Sequence, residues 1–113
     1  MPYIAVNISR VLSEQEKEAI KAGLGQKISV IPGKVEKSLM VDIADGRSLY
    51  YGGKPCDGAY LDVKIYGTAA AEDKKAFIEA AFDVMEQQAG LSKKNVYITL
   101  SEFPNWGANG TMI

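Results

Sequence analysis

Ala59-Tyr60-Leu61-Asp62-Val63-Lys64-Ile65-Tyr66 reads as a strand, the segment from about Ala70 to Ala89 as a helix, and Asn95 to Ser101 as a second strand. Within the helix Ile78, Phe82, Met85 and Ala89 fall on one face, three or four residues apart. Parallel strands need a long crossover where antiparallel strands need only a short turn, so this order predicts a right-handed βαβ unit.

The same order stands upstream. Tyr3 to Ser9 is rich in β-formers, and Ser13-Glu14-Gln15-Glu16 has the Ser-x-x-Glu form of a capping box that opens a helix. Ile20, Leu24, Ile28 and Ile31 follow at helical spacing, and Pro32-Gly33 ends the run. Gly23 and Gly25 weaken that helix by roughly 1 kcal/mol each relative to alanine, so packing must hold it. Leu39, Val41 and Ile43 then alternate with Met40, Asp42 and Ala44, the period of a strand with one buried face, and Asp45-Gly46 turns the chain. An offset of 57 residues carries Ile20 onto Phe77, Ile28 onto Met85, Gly33 onto Gly90, Lys37 onto Lys94, Met40 onto Tyr97 and Ile43 onto Leu100. The register supports a duplicated βαβ unit, with pseudo-repeats at about 2–45 and 59–102 inside a single domain, 1–113.

The expected fold is therefore α/β (α+β): a four-stranded sheet with both helices on one face, mixed if the units meet through their first strands, the first and third of the chain, which then run antiparallel. Its other face carries Ile4 or Ala5, depending on register, and one helix layer cannot cover it. Oligomerisation follows as an expectation. Leu49-Tyr50-Tyr51, leading into a loop at Gly52-Gly53-Lys54-Pro55, and the tail Asn105 to Ile113 are available to extend neighbouring sheets.

Apolar residues make up 47% and charged residues 24% of 113, and a net charge of -1 offers no positive field for nucleic acid or an anionic membrane. Cys56 is the only cysteine and histidine is absent, which removes the usual zinc sets and every His-dependent triad. No cofactor is expected. There is no basic segment followed by an apolar run, and no stretch nears the ~20 apolar residues of a membrane span. The expected location is cytoplasmic, with export without a leader left open.

The chemistry centres on Met1-Pro2-Tyr3-Ile4. Removal of Met1, which a small second residue permits, would leave the Pro2 nitrogen a free secondary amine. An α-amino group titrates near 8, and burial or a nearby cation lowers that towards neutrality, where a base works best. Topology adds a distance argument. Pro2 begins the first strand, Lys34 lies just before the parallel second and Ile65-Tyr66-Gly67 ends the antiparallel third, so the three share one sheet edge. Tyr97 starts the fourth strand at the opposite edge, roughly 23 to 27 Å away, and can reach a Pro2 pocket only from a neighbouring subunit.

Taken in order, Pro2-Tyr3-Ile4, Gly33-Lys34, Gly52-Gly53, Tyr66-Gly67, Val96-Tyr97-Ile98 and Asn105-Trp106-Gly107-Ala108-Asn109-Gly110 resemble the macrophage migration inhibitory factor and D-dopachrome tautomerase family. The resemblance covers essentially the whole chain. It implies a homotrimer with active sites between subunits, Pro2 as catalytic base and Lys34 as the ligand of a substrate carboxylate. Further contacts are implied at Ile65 and Tyr66, with Tyr97 and Thr99 lining the pocket. Thr99 stands where vertebrate members have asparagine, and Tyr66 replaces a smaller isoleucine, which alters the pocket's shape. The family's Cys-x-x-Cys is absent, and Cys56 alone cannot exchange as a dithiol.

The implied reaction is keto-enol tautomerisation of an arylpyruvate such as phenylpyruvate, an isomerase activity in which the substrate ring meets Tyr97, with Tyr3, Tyr66 and Trp106 as further candidate walls. A protein-binding, cytokine-like trimer with vestigial activity is the alternative. Dehalogenation or diacid isomerisation ranks lower, because only Arg10 and Arg47 are present to serve it.

Overall fold

The computed structural model describes all of residues 1–113. In chain order the strands are β1 (Pro2–Ile8), β2 (Met40–Ala44), β3 (Tyr50–Tyr51), β4 (Lys54–Pro55), β5 (Ala59–Tyr66), β6 (Val96–Phe103), β7 (Gly107–Ala108) and β8 (Thr111–Met112). The helices are α1 (Glu14–Lys27) and α2 (Ala71–Ala89), with single 3₁₀ turns at Ile28–Val30, Glu36–Ser38 and Lys93–Asn95. The main sheet has the order β2-β1-β5-β6. β1 runs parallel to β2 and antiparallel to β5, and β5 runs parallel to β6, so the sheet is mixed as the duplicated order implies. Elements of the two halves start in step: Pro2 and Ala59, Glu14 and Ala71, and the 3₁₀ turns at Glu36 and Lys93 are each 57 residues apart.

Alternation along β1 and β5 assigns the faces. Ile4, Val6 and Ile8 with Leu61, Val63 and Ile65 point into the core, where each full burial contributes about 1.5–3 kcal/mol. Tyr3, Ala5 and Asn7 alternate with them, so Ala5, not Ile4, is on the open face. Tyr60, Asp62 and Lys64 join it from β5. Opposite the core strands lie Ile20, Leu24 and Ile28 and, from α2, Phe77, Ala81 and Met85. The buried stripe of α2 is centred one residue earlier than Ile78 and Phe82, which sit half-buried on its edge.

The glycines of α1 have packing reasons. A Cβ at Gly23 would lie 2.7 Å from Val84 Cγ1 of α2, and one at Gly25 would collide with the Glu36 carboxylate. Close approach of the two helices replaces the helix propensity that glycine lacks. α1 opens with the full capping box, Glu16 N–H donating to Ser13 Oγ (3.1 Å) and Ser13 N–H to Glu16 Oε1 (2.8 Å). The α-helical portion ends at Lys27, so Ile28 closes it in a 3₁₀ turn and Ile31 packs from beyond. α2 ends at Gly90 (φ 67), where Arg10 reaches across to donate to the Ala89 and Gly90 carbonyls.

Three expectations change in detail. Lys54-Pro55 is not loop but pairs with Tyr50-Tyr51, because Gly52 (φ 60) and Gly53 (φ 80) supply the two left-handed residues of a tight hairpin turn. Asn109 (φ 53) and Gly110 (φ 79) do the same between β7 and β8. β6 continues past Ser101 to Phe103, which pairs with Tyr66.

Candidate active site

Register brings the start of β1 to the end of β5. Pro2 faces Ile65, and the Tyr66 N–H donates to the Met1 carbonyl oxygen at 3.0 Å. Gly33, at φ 82, turns the chain out of the α1 connection. Lys34 N–H is thereby tied to the Ile31 carbonyl (3.1 Å), and Lys34 Nζ donates to the Tyr66 carbonyl oxygen at 2.8 Å. Chain start, lysine and the last residue of β5 thus meet in one place. The Met1 amino group sits below its ordinary pKa, chiefly because burial disfavours its charge, with the Lys34 charge and a hydrogen bond to Lys34 adding to the effect.

Beside this junction opens a cavity of about 610 Å³, lined among others by Pro2, Tyr3, Met40, Lys64, Phe103 and Trp106. The walls are largely apolar. Phe103 and Trp106 meet edge to face, centroids 6.3 Å apart, and the β7-β8 hairpin pins Trp106 through the Ile113 N–H on its carbonyl (2.9 Å). On the open face Lys64 Nζ pairs with Asp62 (2.9 Å) and lies 5.9 Å from the Tyr3 ring centroid, while the Tyr3 hydroxyl donates to Asp42 (2.9 Å). Each lysine near Pro2 thus has a partner, Lys64 the Asp62 carboxylate and Lys34 the Tyr66 carbonyl.

Not every candidate converges. Ile65 is fully buried, so only its backbone faces this end, and the half-buried Tyr66 offers main-chain groups that Met1 and Lys34 already occupy. Tyr97 pairs with Tyr60 at the opposite end of β5, 60% exposed, with its ring against Tyr51 at 5.5 Å. Thr99 Oγ1 is 2.6 Å from the Tyr60 hydroxyl on the open face. Within one chain, Tyr97 and Thr99 lie outside the Pro2 cavity. Arg10 and Arg47 line a different cleft with Cys56 at that far end.

Sequence reasoning missed Met40, Lys64 and Phe103. Met40 was legible as the residue opposite the buried face of β2, and Lys64 as the cross-strand partner of Tyr3 once the register is set. Phe103 lay two residues past the expected strand end. No group of His, Cys, Asp and Glu is arranged to hold a metal ion, and no helix is long and apolar enough to cross a membrane.

No curated protein sequence matches the chain. Among solved structures, MIF2 of Leishmania major is similar over 100% of this chain and 97% of its own, with a TM-score of 0.92 and 22% identity. Pt0534 inactivated by 2-oxo-3-pentynoate matches over 96% and 93%, with a TM-score of 0.87 and 20% identity. A fused 4-OT solved as a symmetric trimer matches over 96% and 93%, with a TM-score of 0.87 and 19% identity. At these identities the likeness is one of fold. The family model described as macrophage migration inhibitory factor matches residues 1–113, and with a fold that begins its sheet at Pro2 beside Lys34, the chain belongs to the macrophage migration inhibitory factor family.

Proposed function

We infer that the protein is a keto-enol tautomerase of arylpyruvates such as phenylpyruvate, with Pro2 as general base once Met1 is removed. The observation that carries this reading is that the chain start, Lys34 Nζ and the Tyr66 main chain meet at one sheet end, where Met1 and Pro2 also line an aromatic cavity. With Met1 attached, its carbonyl oxygen accepts the Tyr66 N–H; without it, that donor is free for a substrate oxygen. Lys34 can then hold the carboxylate of a 2-oxo acid by a charge-assisted hydrogen bond. Neutral Pro2 takes a proton from the carbon between ring and carbonyl, the electron pair moves to the carbonyl oxygen as an enolate, and the proton returns to that oxygen.

The same surroundings keep Pro2 neutral. The Met1 amine, one residue earlier, is lowered chiefly by burial and then by Lys34, and the same two causes would act on a Pro2 amine. The inactivator named with the Pt0534 structure is itself a 2-oxo acid, which supports that substrate class.

A homotrimer completes the site in this reading. The open face carries the half-buried Tyr3, Asp62 and Lys64, which a second layer would cover, and a similar fold is solved as a trimer. Tyr97 and Thr99, remote from Pro2 in their own chain, would reach the pocket of the next copy, where Tyr97 takes the substrate ring.

The test is an intact mass followed, on the same sample, by an ultraviolet assay of phenylpyruvate enol-keto conversion. Loss of one methionine with rapid conversion is expected. A processed trimer that converts nothing would end the arylpyruvate reading and shift the weight to protein binding.

A further inference from the structure

Tyr97 projects from the open face of β6 with most of its surface exposed, yet it does not stand alone. The Tyr51 ring packs on it with centroids 5.5 Å apart and planes inclined at 58°, a tilted geometry that aromatic pairs favour.

The element that delivers Tyr51 is a tight two-stranded hairpin. Tyr51 pairs with Lys54 and Tyr50 with Pro55 across the Gly52-Gly53 turn, and the Cys56 N–H on the Leu49 carbonyl (2.9 Å) extends the ladder. All residues of that hairpin, 50–55, are exposed, so it adds nothing to the buried core. Its one aromatic pairing is with Tyr97.

Resting on the assignment of Tyr97 to the pocket of a neighbouring copy, we propose that Tyr51 is a positioning residue for that pocket, fixing the Tyr97 ring from behind so that the substrate ring meets a pre-ordered Tyr97. An exposed tyrosine that must be ordered when substrate binds weakens affinity by roughly two- to tenfold. Tyr51 orders it beforehand.

The experiment uses the processed full-length protein and phenylpyruvate, with Tyr51→Ala, Tyr51→Phe, Tyr97→Ala and the Tyr51→Ala/Tyr97→Ala pair. Tyr51→Ala is expected to raise KM roughly three- to tenfold with kcat within about twofold. The pH limb set by Pro2 stays in place. Tyr51→Phe, which keeps the ring, recovers most of the loss. In the Tyr97→Ala background Tyr51→Ala adds nothing further, because it acts through Tyr97. Should Tyr51→Ala not assemble, Tyr51→Leu keeps apolar bulk without ring or hydroxyl and is judged by the same criteria. An unchanged KM, or additive losses in the double variant, overturns the proposal. Wild-type protein without conversion would overturn the tautomerase reading together with it, whereas an active wild type with unaffected variants overturns the positioning role alone.

Discussion

At one end of the central sheet Pro2 starts β1 and Lys34 follows Gly33; at the other, 57 residues later in each case, Ala59 starts β5 and Leu91 follows Gly90. The backbone pairing is the same at both. Tyr66 N–H donates to the Met1 carbonyl at the first end and Ser9 N–H to the Gly58 carbonyl at the second, each at 3.0 Å. What differs is what fills the space. Leu91 is 1% exposed and joins the core, where Lys34 instead turns its ammonium to the Tyr66 carbonyl at the end of β5. Gly58 is so enclosed that a Cβ would collide with the Asn95 carbonyl oxygen, and its N–H is further tied to Ser9 Oγ (3.0 Å). One pattern of strands thus yields an aromatic cavity beside the start of β1 and a start of β5 that is sealed by packing around Gly58.

The largest effect should come from making the two ends alike at the amine. Protein that retains Met1, verified by intact mass, is expected to lose at least about 10³-fold in kcat/KM for phenylpyruvate relative to processed protein, since an amide nitrogen cannot serve as a base. Equal activity of the two forms would remove the amine from the account.

Next in size is the lysine. Lys34→Ala should raise KM roughly ten- to a hundredfold, the range expected for one hydrogen bond to a charged group. Its pH profile should move as well. Lys34 lowers the pKa of the Met1 amine, and the same charge beside a freed Pro2 amine would act in that direction, so its removal should raise the pKa of the base and shift the acid limb of kcat/KM to higher pH. A variant with unmoved KM and limb would assign the carboxylate to another group.

At the sealed end Gly58→Ala should read out in stability instead. Overpacking against the Asn95 carbonyl is expected to cost about 1–3 kcal/mol, measured as a lower urea midpoint with unchanged slope, and the Pro2 titration should stay in place. A midpoint equal to wild type would show that this end is looser than its packing implies.

The smallest effect belongs to the ion pair that borders the sealed end, Arg10 with Asp57 at 2.8 Å. Both side chains are substantially exposed, so Asp57→Asn should cost less than about 1 kcal/mol at pH 7. The hydrogen bond from Arg10 holds the Asp57 carboxyl below its usual pKa. Its contribution is therefore complete above the unfolded carboxylate pKa, about 3.9, and fades as pH falls through the lower folded value. Urea midpoints of variant and wild type should converge under strongly acidic conditions; a gap that persists there would point to packing instead.

Local patterns carried much of this molecule. The alternation of Leu39, Val41 and Ile43, the Ser13–Glu16 capping box and the strand limits Ala59 and Tyr66 follow from side-chain periodicity and cap chemistry, which act within a few residues. The two-residue turns at Gly52-Gly53 and Asn109-Gly110 were written in the same local code, and their hairpins were overlooked because they join strands only two residues long. Phe103 belongs to β6 because Tyr66 pairs with it, a constraint that nothing near Phe103 expresses. The same holds for Lys64 beside Tyr3, which is a matter of register across 61 residues of chain.

By itself, then, the order of periodicities in the sequence determined two βαβ units, and it placed Pro2, Lys34 and Tyr66 at one sheet end on the condition that the units meet through β1 and β5, which the register of those strands supplies. These depend on short-range steric preference and on crossover handedness, both properties of local chain geometry. Only the tertiary structure decided that Lys34 Nζ is spent on the Tyr66 carbonyl, that Met40, Phe103 and Trp106 wall the cavity, that Leu91 closes the other end and that Tyr51 rests on Tyr97. Each of these is a contact between side chains or main-chain groups far apart in sequence, chosen by packing and hydrogen-bond satisfaction across the whole core, and so by free energies that no short stretch of the chain carries alone.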